Sequence, residues 1–287
     1  MRLSGVGIWS AQLRYLDPAA VRDASAELEG LGFSALWIPD VGGDVFGSLR
    51  TILDATTSVV AATGILNLWM HSAEETAGGY ADLAGRHPDR LLLGIGVSHA
   101  PLVDARAPGR YRDPLGAMRA YLDALDEASP PVPAAARVLA ALGPRMLELA
   151  RDKSAGAHPY LVPPEHTRAA RAAIGSGRLL APEQAVVLEA DPEKARALAR
   201  GHLGTYLALP NYTNNLRRLG FTDDDIAGGG SDRLVDAIVA WGDEGAAAAR
   251  VQEHRDAGAD HVAVQVISDD FAGVTLAEWR RLATALV

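Results

Sequence analysis

The 287-residue sequence contains no cysteine. That absence excludes disulfides, thiolate nucleophiles, zinc–thiolate sites and cysteine-ligated iron–sulfur clusters. No run of about 18 apolar residues occurs, so no membrane-spanning helix is expected. The amino-terminal stretch MRLSGVGIWSAQLRYLDP lacks the basic, apolar and small-residue succession of a signal peptide, and the expected location is cytoplasmic. Aromatic residues make up only 6% of the chain, and positive charge is in deficit: 27 Lys and Arg face 36 Asp and Glu, a formal net charge of −9. Phosphate recognition along a nucleic acid needs a basic face, so nucleic acid is not the expected partner. A local basic pocket for a small anion is compatible with the same balance.

Motifs with a known physical mechanism are missing too. Gly94-Ile95-Gly96 opens like GxGxxG but has His99 in sixth position, and Gly5-Val6-Gly7 fails in the same way. There is no GxxxxGK[ST], GxSxG or HExxH, and no histidine–carboxylate grouping with metal-ligand spacing, so no metal site is expected. The chain is rich in Ala, Leu, Val and Gly, with 48% hydrophobic and 22% charged residues. It can bury a large core of helices packed closely on a sheet.

Short apolar runs alternate with longer amphipathic ones. Strands are expected at Leu3–Trp9, Ser34–Ile38, Thr63–Trp69, Arg90–Val97, Arg137–Leu142, Gly156–Val162, Gln184–Glu189 and Val262–Ile267. Helices are expected at Ala19–Leu31, Ser48–Ala61, Glu74–Arg86, Pro114–Glu127, Pro144–Lys153, Pro164–Ile174, from the Asp191-Pro192 cap to about Leu207, and at Leu276–Leu286. Strict β-α alternation implies a parallel sheet with right-handed crossovers. Eight such units predict an α/β protein, a (β/α)₈ TIM barrel, as one domain over residues 1–287; an open doubly wound sheet is the rival. The stretch Pro210–Gly245 exceeds one unit. It carries NYTNNLRRLGF, a triple-glycine turn and a Ser231-capped SDRLVDAIVAW helix, and reads as a helical insertion between the seventh and eighth strands, at about 210–245.

Barrel enzymes place their chemistry at the C-terminal ends of the strands. That rule nominates Trp9 and Ser10, Asp40, Asn67 to His71, Val97 to His99, Leu142 and Gly143, His158 to Tyr160, Glu189, and Ser268 to Asp270. Asp40, between an apolar strand and a Gly-rich loop, fits both a ligand-facing carboxylate and an ordinary turn aspartate. Of the eight histidines, His99 and His158 stand at strand ends as site candidates and His71 is undecided. His87, His166, His202, His254 and His261 fall where solvated histidine is the default. Leu142-Gly143-Pro144 ends a strand and opens a helix, and free amides at the positive end of a helix dipole suit a phosphate. The two Gly-x-Gly strands either keep the lumen open or admit a flat ligand.

The segments ELEGLGFSALWIPD, TGILNLW, HPDRLLLGIGVSHAPLV, LAALGPRMLELARDKSAGAHPY and AGADHVAVQV, in that order, resemble the bacterial luciferase-like family, and within it the actinobacterial oxidoreductases that use the deazaflavin coenzyme F420. The resemblance covers nearly the whole chain. It implies a (β/α)₈ barrel with an insertion around the seventh strand, and a homodimer. It implies that Asp40 borders the coenzyme's ring end and that Gly64-Ile65 carries a non-prolyl cis peptide behind the ring. Asn67 would make a polar contact to the coenzyme, Val97, Ser98 and His99 would line the ring and ribityl chain, and Leu142, Gly143 and Pro144 would cradle the phosphate. Trp9, His158 and Tyr160 would be neighbours at the barrel mouth. Members that oxidise sugar phosphates have a histidine after the aspartate of the second strand and a glutamate after the fourth; Val41 and His99 stand there in this chain, which argues against a sugar phosphate.

The reading that follows is an F420-dependent oxidoreductase passing hydride between the deazaflavin C5 and a small organic substrate. His99 is the first candidate for the proton group, followed by Asp40 and His158. Two alternatives stand beside it: an FMN-dependent luciferase-like monooxygenase, and a catalytically silent barrel that binds the coenzyme.

Overall fold

The computed structural model describes residues 3–269 and 273–287. The strands are β1 (Gly5–Trp9), β2 (Ala35–Ile38), β3 (Val60–Thr63), β4 (Leu66–Asn67), β5 (Leu91–Gly96), β6 (Arg137–Leu139), β7 (Gly156–Ala157), β8 (Leu179–Leu180), β9 (Glu183–Val187), β10 (Val239–Trp241) and β11 (His261–Val266). Every pairing among them is parallel, in the order β10-β9-β11-β1-β2-β3-β5-β6-β7-β8, with β4 also on β5. Two residues alone separate β8 from β9, so one continuous stretch pairs with β7 at its start and with β11 further on. Backbone hydrogen bonds from Glu183 to Pro159 and from Ala263 to Pro182 seal that seam. The sheet therefore curls back on itself as a (β/α)₈-type barrel.

Helices run between the strands: α1 (Gln12–Tyr15), α2 (Pro18–Gly30), α3 (Val45–Ala55), α4 (Ala73–Arg86), α5 (Ala100–Arg106), α6 (Pro114–Glu127), α7 (Pro144–Lys153), α8 (Pro164–Ile174), α9 (Pro192–Leu207), α10 (Pro210–Arg218), α11 (Asp223–Ile226), α12 (Asp232–Ile238), α13 (Glu244–Asp256) and α14 (Leu276–Leu286). Their starts follow local chemistry. Asp17 accepts from the amides of Ala19 and Ala20 ahead of α2, and Ser72 and Glu75 form a reciprocal capping box on α4. α6, α7 and α8 each begin on a proline and span the expected residues.

Three expectations need correction. Helix α3 lies at Val45–Ala55, not Ser48–Ala61: the Glu29 carboxylate accepts from the amides of Thr57, Ser58 and Val59, which ends the helix and launches β3 at Val60. The third strand is split by the cis Gly64–Ile65 peptide into β3 and β4. SDRLVDAIVAW is not one helix. α12 ends at Ile238, and Val239–Trp241 pairs in parallel with Ala185–Val187, because the β-branched apolar run gains a ladder at the sheet edge. The loop after β5 contains helix α5, on which Pro101 sits in the first turn. Asp270 lies outside the described residues.

Two core layers hold the barrel. Leu, Ile and Val from alternate strand positions pack outward on the helices, while Ala35, Trp37, Ala62, Leu92, Val138 and Ala263 fill the lumen. Close approach explains Gly7 of β1 and Gly94 of β5. A Cβ on Gly7 would lie 2.7 Å from the His261 ring, and one on Gly94 2.1 Å from the Thr63 carbonyl oxygen. Among the described residues no helix is long and apolar enough to cross a membrane.

Candidate active site

A cavity of about 770 Å³ opens at the C-terminal ends of the strands. The thirteen residues expected to touch coenzyme or reacting atoms line it: Trp9, Asp40, Gly64, Ile65, Asn67, Val97, Ser98, His99, Leu142, Gly143, Pro144, His158 and Tyr160. Of the other strand-end nominations, Ser10, Leu68 to His71, Pro159, Glu189, Ser268 and Asp269 are not part of its lining. Residues at the strand ends form its floor. The Trp9 indole donates to the Gly64 carbonyl at 2.9 Å, and a Cβ on Gly64 would lie 2.4 Å from that indole nitrogen, so no side chain fits at this point of the floor.

Beneath the floor, the His158 imidazole stacks on Trp37 with ring centroids 4.2 Å apart and planes at 13°. Its Nδ1 is 2.6 Å from the Ala181 carbonyl oxygen. A carbonyl only accepts, so Nδ1 carries the proton, and Nε2 is left as a buried lone pair without a partner. Burial lowers the His158 pKa to about 4, against a smaller rise from the Ala181 contact. The ring is neutral at neutral pH.

Asp40 has a fully buried side chain. One oxygen accepts from the Asn67 amide and meets His71 Nε2, each at 3.0 Å, and the other accepts from the Gly42 amide at 3.3 Å. The carboxylate thus ties the loop after β2 to the segment after β4, and this also gives His71 its place. His99 sits at the seam between floor and roof. Its Nδ1 is buried without a partner, its ring packs on Tyr212 at 5.0 Å, and burial lowers its pKa to about 4. A neutral His99 can accept or share a proton but carries no charge at neutral pH.

The roof comes from α9, α10 and the α5–α6 region, and the sequence did not nominate these residues. Tyr111, Tyr206, Asn211, Tyr212, Asn214 and Arg218 all line the cavity. The Tyr160 hydroxyl donates to Gln265 Oε1 at 2.8 Å and, with its proton spent there, accepts from Tyr206 at 3.0 Å. Asn211 reaches across the mouth to the Ser98 carbonyl and the Tyr111 hydroxyl, at 3.1 and 3.0 Å. The one available signal was NYTNNLRR itself, a helix whose amides and tyrosine share a face. At the far end, Gly143 has no side chain to cap α7, and Pro144 has no amide to offer. Arg145 and Arg218 line the cavity there, and a Cβ on Gly143 would lie 3.6 Å from the Arg218 guanidinium.

Glu183 was also missed. It is buried in the barrel wall, where one carboxylate oxygen accepts from the Leu161 amide at 3.1 Å and the other has no partner. Burial raises its pKa to about 8 despite that hydrogen bond. Leu161 has φ of 58°, the left-handed region, so Glu183 holds a strained turn directly after Tyr160.

The default reading of the remaining histidines as solvated holds only for His87, which pairs with Asp54 at 2.9 Å. His166, His254 and His261 are buried, and His202 is half-buried with its ring on Tyr206. His261 accepts from the Trp37 indole at 3.1 Å inside the lumen, and His254 bridges Thr167 and Gln184. The positions looked like turns and helix faces in sequence, but His166, His254 and His261 face internal polar partners that folding supplies, while the His202 ring packs on Tyr206 with its Nε2 buried and unpartnered.

The fold has clear relatives. An F420-dependent secondary alcohol dehydrogenase, solved with an F420–acetone adduct, superposes with a TM-score of 0.75 at 14% identity, covering 99% of this chain and 98% of that one. The F420-dependent tetrahydromethanopterin reductase of Methanopyrus kandleri gives 0.71 at 18% identity, again covering 99% and 98%. The oxygenating constituent of 3,6-diketocamphane monooxygenase from Pseudomonas putida, in complex with FMN, gives 0.64 at 12% identity, covering 100% and 98%. No curated protein matches by sequence. At these identities the structures share the fold, while the sequence model for luciferase-like monooxygenases matches residues 4–261. The chain therefore belongs to the luciferase-like monooxygenase family.

Proposed function

We propose that the cavity binds coenzyme F420 and that the protein is an oxidoreductase exchanging hydride with a small organic substrate. The observation that carries this reading is the shape of the cavity: a flat floor without side chains at Gly64 at one end, and the uncapped start of α7 with Arg145 and Arg218 at the other. A planar ring joined to a phosphate needs both ends. When bound, the deazaflavin supplies or accepts hydride at its C5.

The other tasks fall to this chain. Gly64, Ile65 and Val97 would flank the ring, and the α7 start with Arg218 would hold the phosphate. His99 would serve the proton: as the substrate carbon gains hydride its oxygen needs a proton, and as an alcohol is oxidised its proton needs an acceptor. Asp40, with both oxygens occupied, would fix the loops around the ring rather than move a proton.

A second reading keeps the same residues but places FMN over the floor for reaction with oxygen; the FMN-bound relative with this fold favours it. Titrating purified protein with F420 and with FMN, each followed by its own absorbance band, tests the choice. F420 is expected to saturate at low micromolar protein and FMN to bind at least about tenfold more weakly. Tighter FMN binding with rapid oxygen consumption overturns the first reading.

A further inference from the structure

Four large apolar side chains are strongly exposed among the described residues: Tyr15 (69%), Val41 (47%), Leu102 (55%) and the terminal Val287. The first three stand on segments that leave the C-terminal ends of β1, β2 and β5, the end at which the cavity opens. Val41 and Leu102 line the cavity itself. Single exposed apolar residues need no explanation, but two that line one mouth, with a third on the same end of the barrel, do.

The charges are distributed the other way. Among the described residues, Asp40, Arg145 and Arg218 are the only Asp, Glu, Lys or Arg lining the cavity. Asp40 spends both oxygens on internal hydrogen bonds, and the arginines stand at the α7 end. Among the described residues that line the side bounded by Val41, Leu102, Tyr111 and Leu115 none carries a fixed charge, and His99, the polar group beside it, has a buried Nδ1 without a partner.

We infer that this side takes an uncharged, largely apolar organic molecule bearing a carbonyl or hydroxyl oxygen, and discriminates against carboxylates and phosphates. The inference rests on the coenzyme reading in that the arginine end is assigned to the coenzyme phosphate. The physical reason is desolvation. An anion moved from water to this side meets no counter-charge among the described lining residues, the nearby Arg14 guanidinium being held by the Pro39 and Gly42 carbonyls, whereas a neutral oxygen needs only one hydrogen-bond partner, which His99 supplies.

The test is a matched pair of probes, 2-acetylnaphthalene and 2-naphthoate, titrated calorimetrically in phosphate buffer, which covers the arginine end, with and without F420. The parent protein is expected to bind the ketone at least about tenfold more tightly than the carboxylate. Val41→Lys and, separately, Leu102→Lys change exposed positions, which the fold tolerates, and each is expected to cut that ratio at least about threefold by supplying the missing charge. Equal or tighter binding of 2-naphthoate by the parent overturns the inference, as does an unchanged ratio in both variants. F420 binding, read from its own absorbance, is scored separately. F420 binding without ketone preference sinks the substrate class alone. Ketone preference in phosphate without F420 binding sinks the coenzyme reading and leaves the substrate class standing.

Discussion

The floor of the cavity is made by residues at the C-terminal ends of β1 to β7, and its roof by α5, α6, α9 and α10. The floor is backed by buried, neutral groups with assigned partners: His158 on Trp37 and Ala181, His261 on Trp37. The roof is held by longer reaches between elements far apart in sequence, such as Asn211 to Ser98 and Tyr206 to Tyr160. A strand end is a fixed place in a barrel, so its occupant can be named from the β-α period alone. A roof residue owes its place to how two helices happen to pack over the mouth.

The largest expected effect strikes beneath the floor. Burial lowers the pKa of His158 to about 4 and of His254 and His261 to about 3. Each ring is neutral in the fold and has its ordinary pKa of about 6.5 in the unfolded chain. Their contribution to stability is therefore complete above pH 6.5 and is lost as pH falls toward 4 and then 3. At roughly 1.4 kcal/mol per pKa unit, His158 alone accounts for about 3 kcal/mol across that window. Denaturant titrations at steps of pH are expected to show stability falling steeply from pH 6.5 downward. Glu183 acts with the opposite sign. Raised from 4.5 to about 8, it favours the fold below pH 4.5 and loses that contribution as pH climbs to 8. Glu183→Gln is expected to flatten the alkaline side and to steepen the fall between pH 6.5 and 4.5, where Glu183 offsets the histidines. A flat profile from pH 7 to 4 would mean that water reaches the buried histidines.

The next effect belongs to the seam. His99→Ala is expected to lower turnover roughly 10²-fold, the size of a lost proton-transfer group, while F420 affinity changes little. Because burial lowers its pKa to about 4, the wild-type rate should show no histidine titration between pH 5 and 8. Collapse of coenzyme affinity with turnover preserved at saturation would make His99 a binding residue and move it from floor to roof in kind.

The smallest effect tests the arginine end. A Cβ on Gly143 would stand 3.6 Å from Arg218, ordinary contact distance, so Gly143→Ala is expected to weaken F420 less than about threefold. Gly143→Val, whose branches project further into the cavity, should cost at least about tenfold, and Arg145→Ala should have a modest effect. If Gly143→Val bound F420 as tightly as the parent, the phosphate would not lie at the α7 start.

The sequence by itself determined the alternation of strands and helices, the proline-led starts of α6, α7 and α8, and the strand-end floor residues Trp9, Asp40, Asn67, Val97 to His99, Leu142, Gly143, His158 and Tyr160, because apolar period, caps and strand ends are local properties that each segment carries alone, whereas Gly64 and Ile65 came from the family resemblance. It misplaced the α3–β3 boundary because the group that ends α3 is Glu29, nearly thirty residues away in sequence. It hid the buried histidines and Glu183 because a titratable side chain reads as polar until folding shows what surrounds it. Only the tertiary structure decided the roof and the neutral state of His99. Packing α10 over the mouth removes water from His99, brings Tyr212 against it and sets Arg218 over Gly143, and each of these effects exists only between segments that meet when the barrel closes.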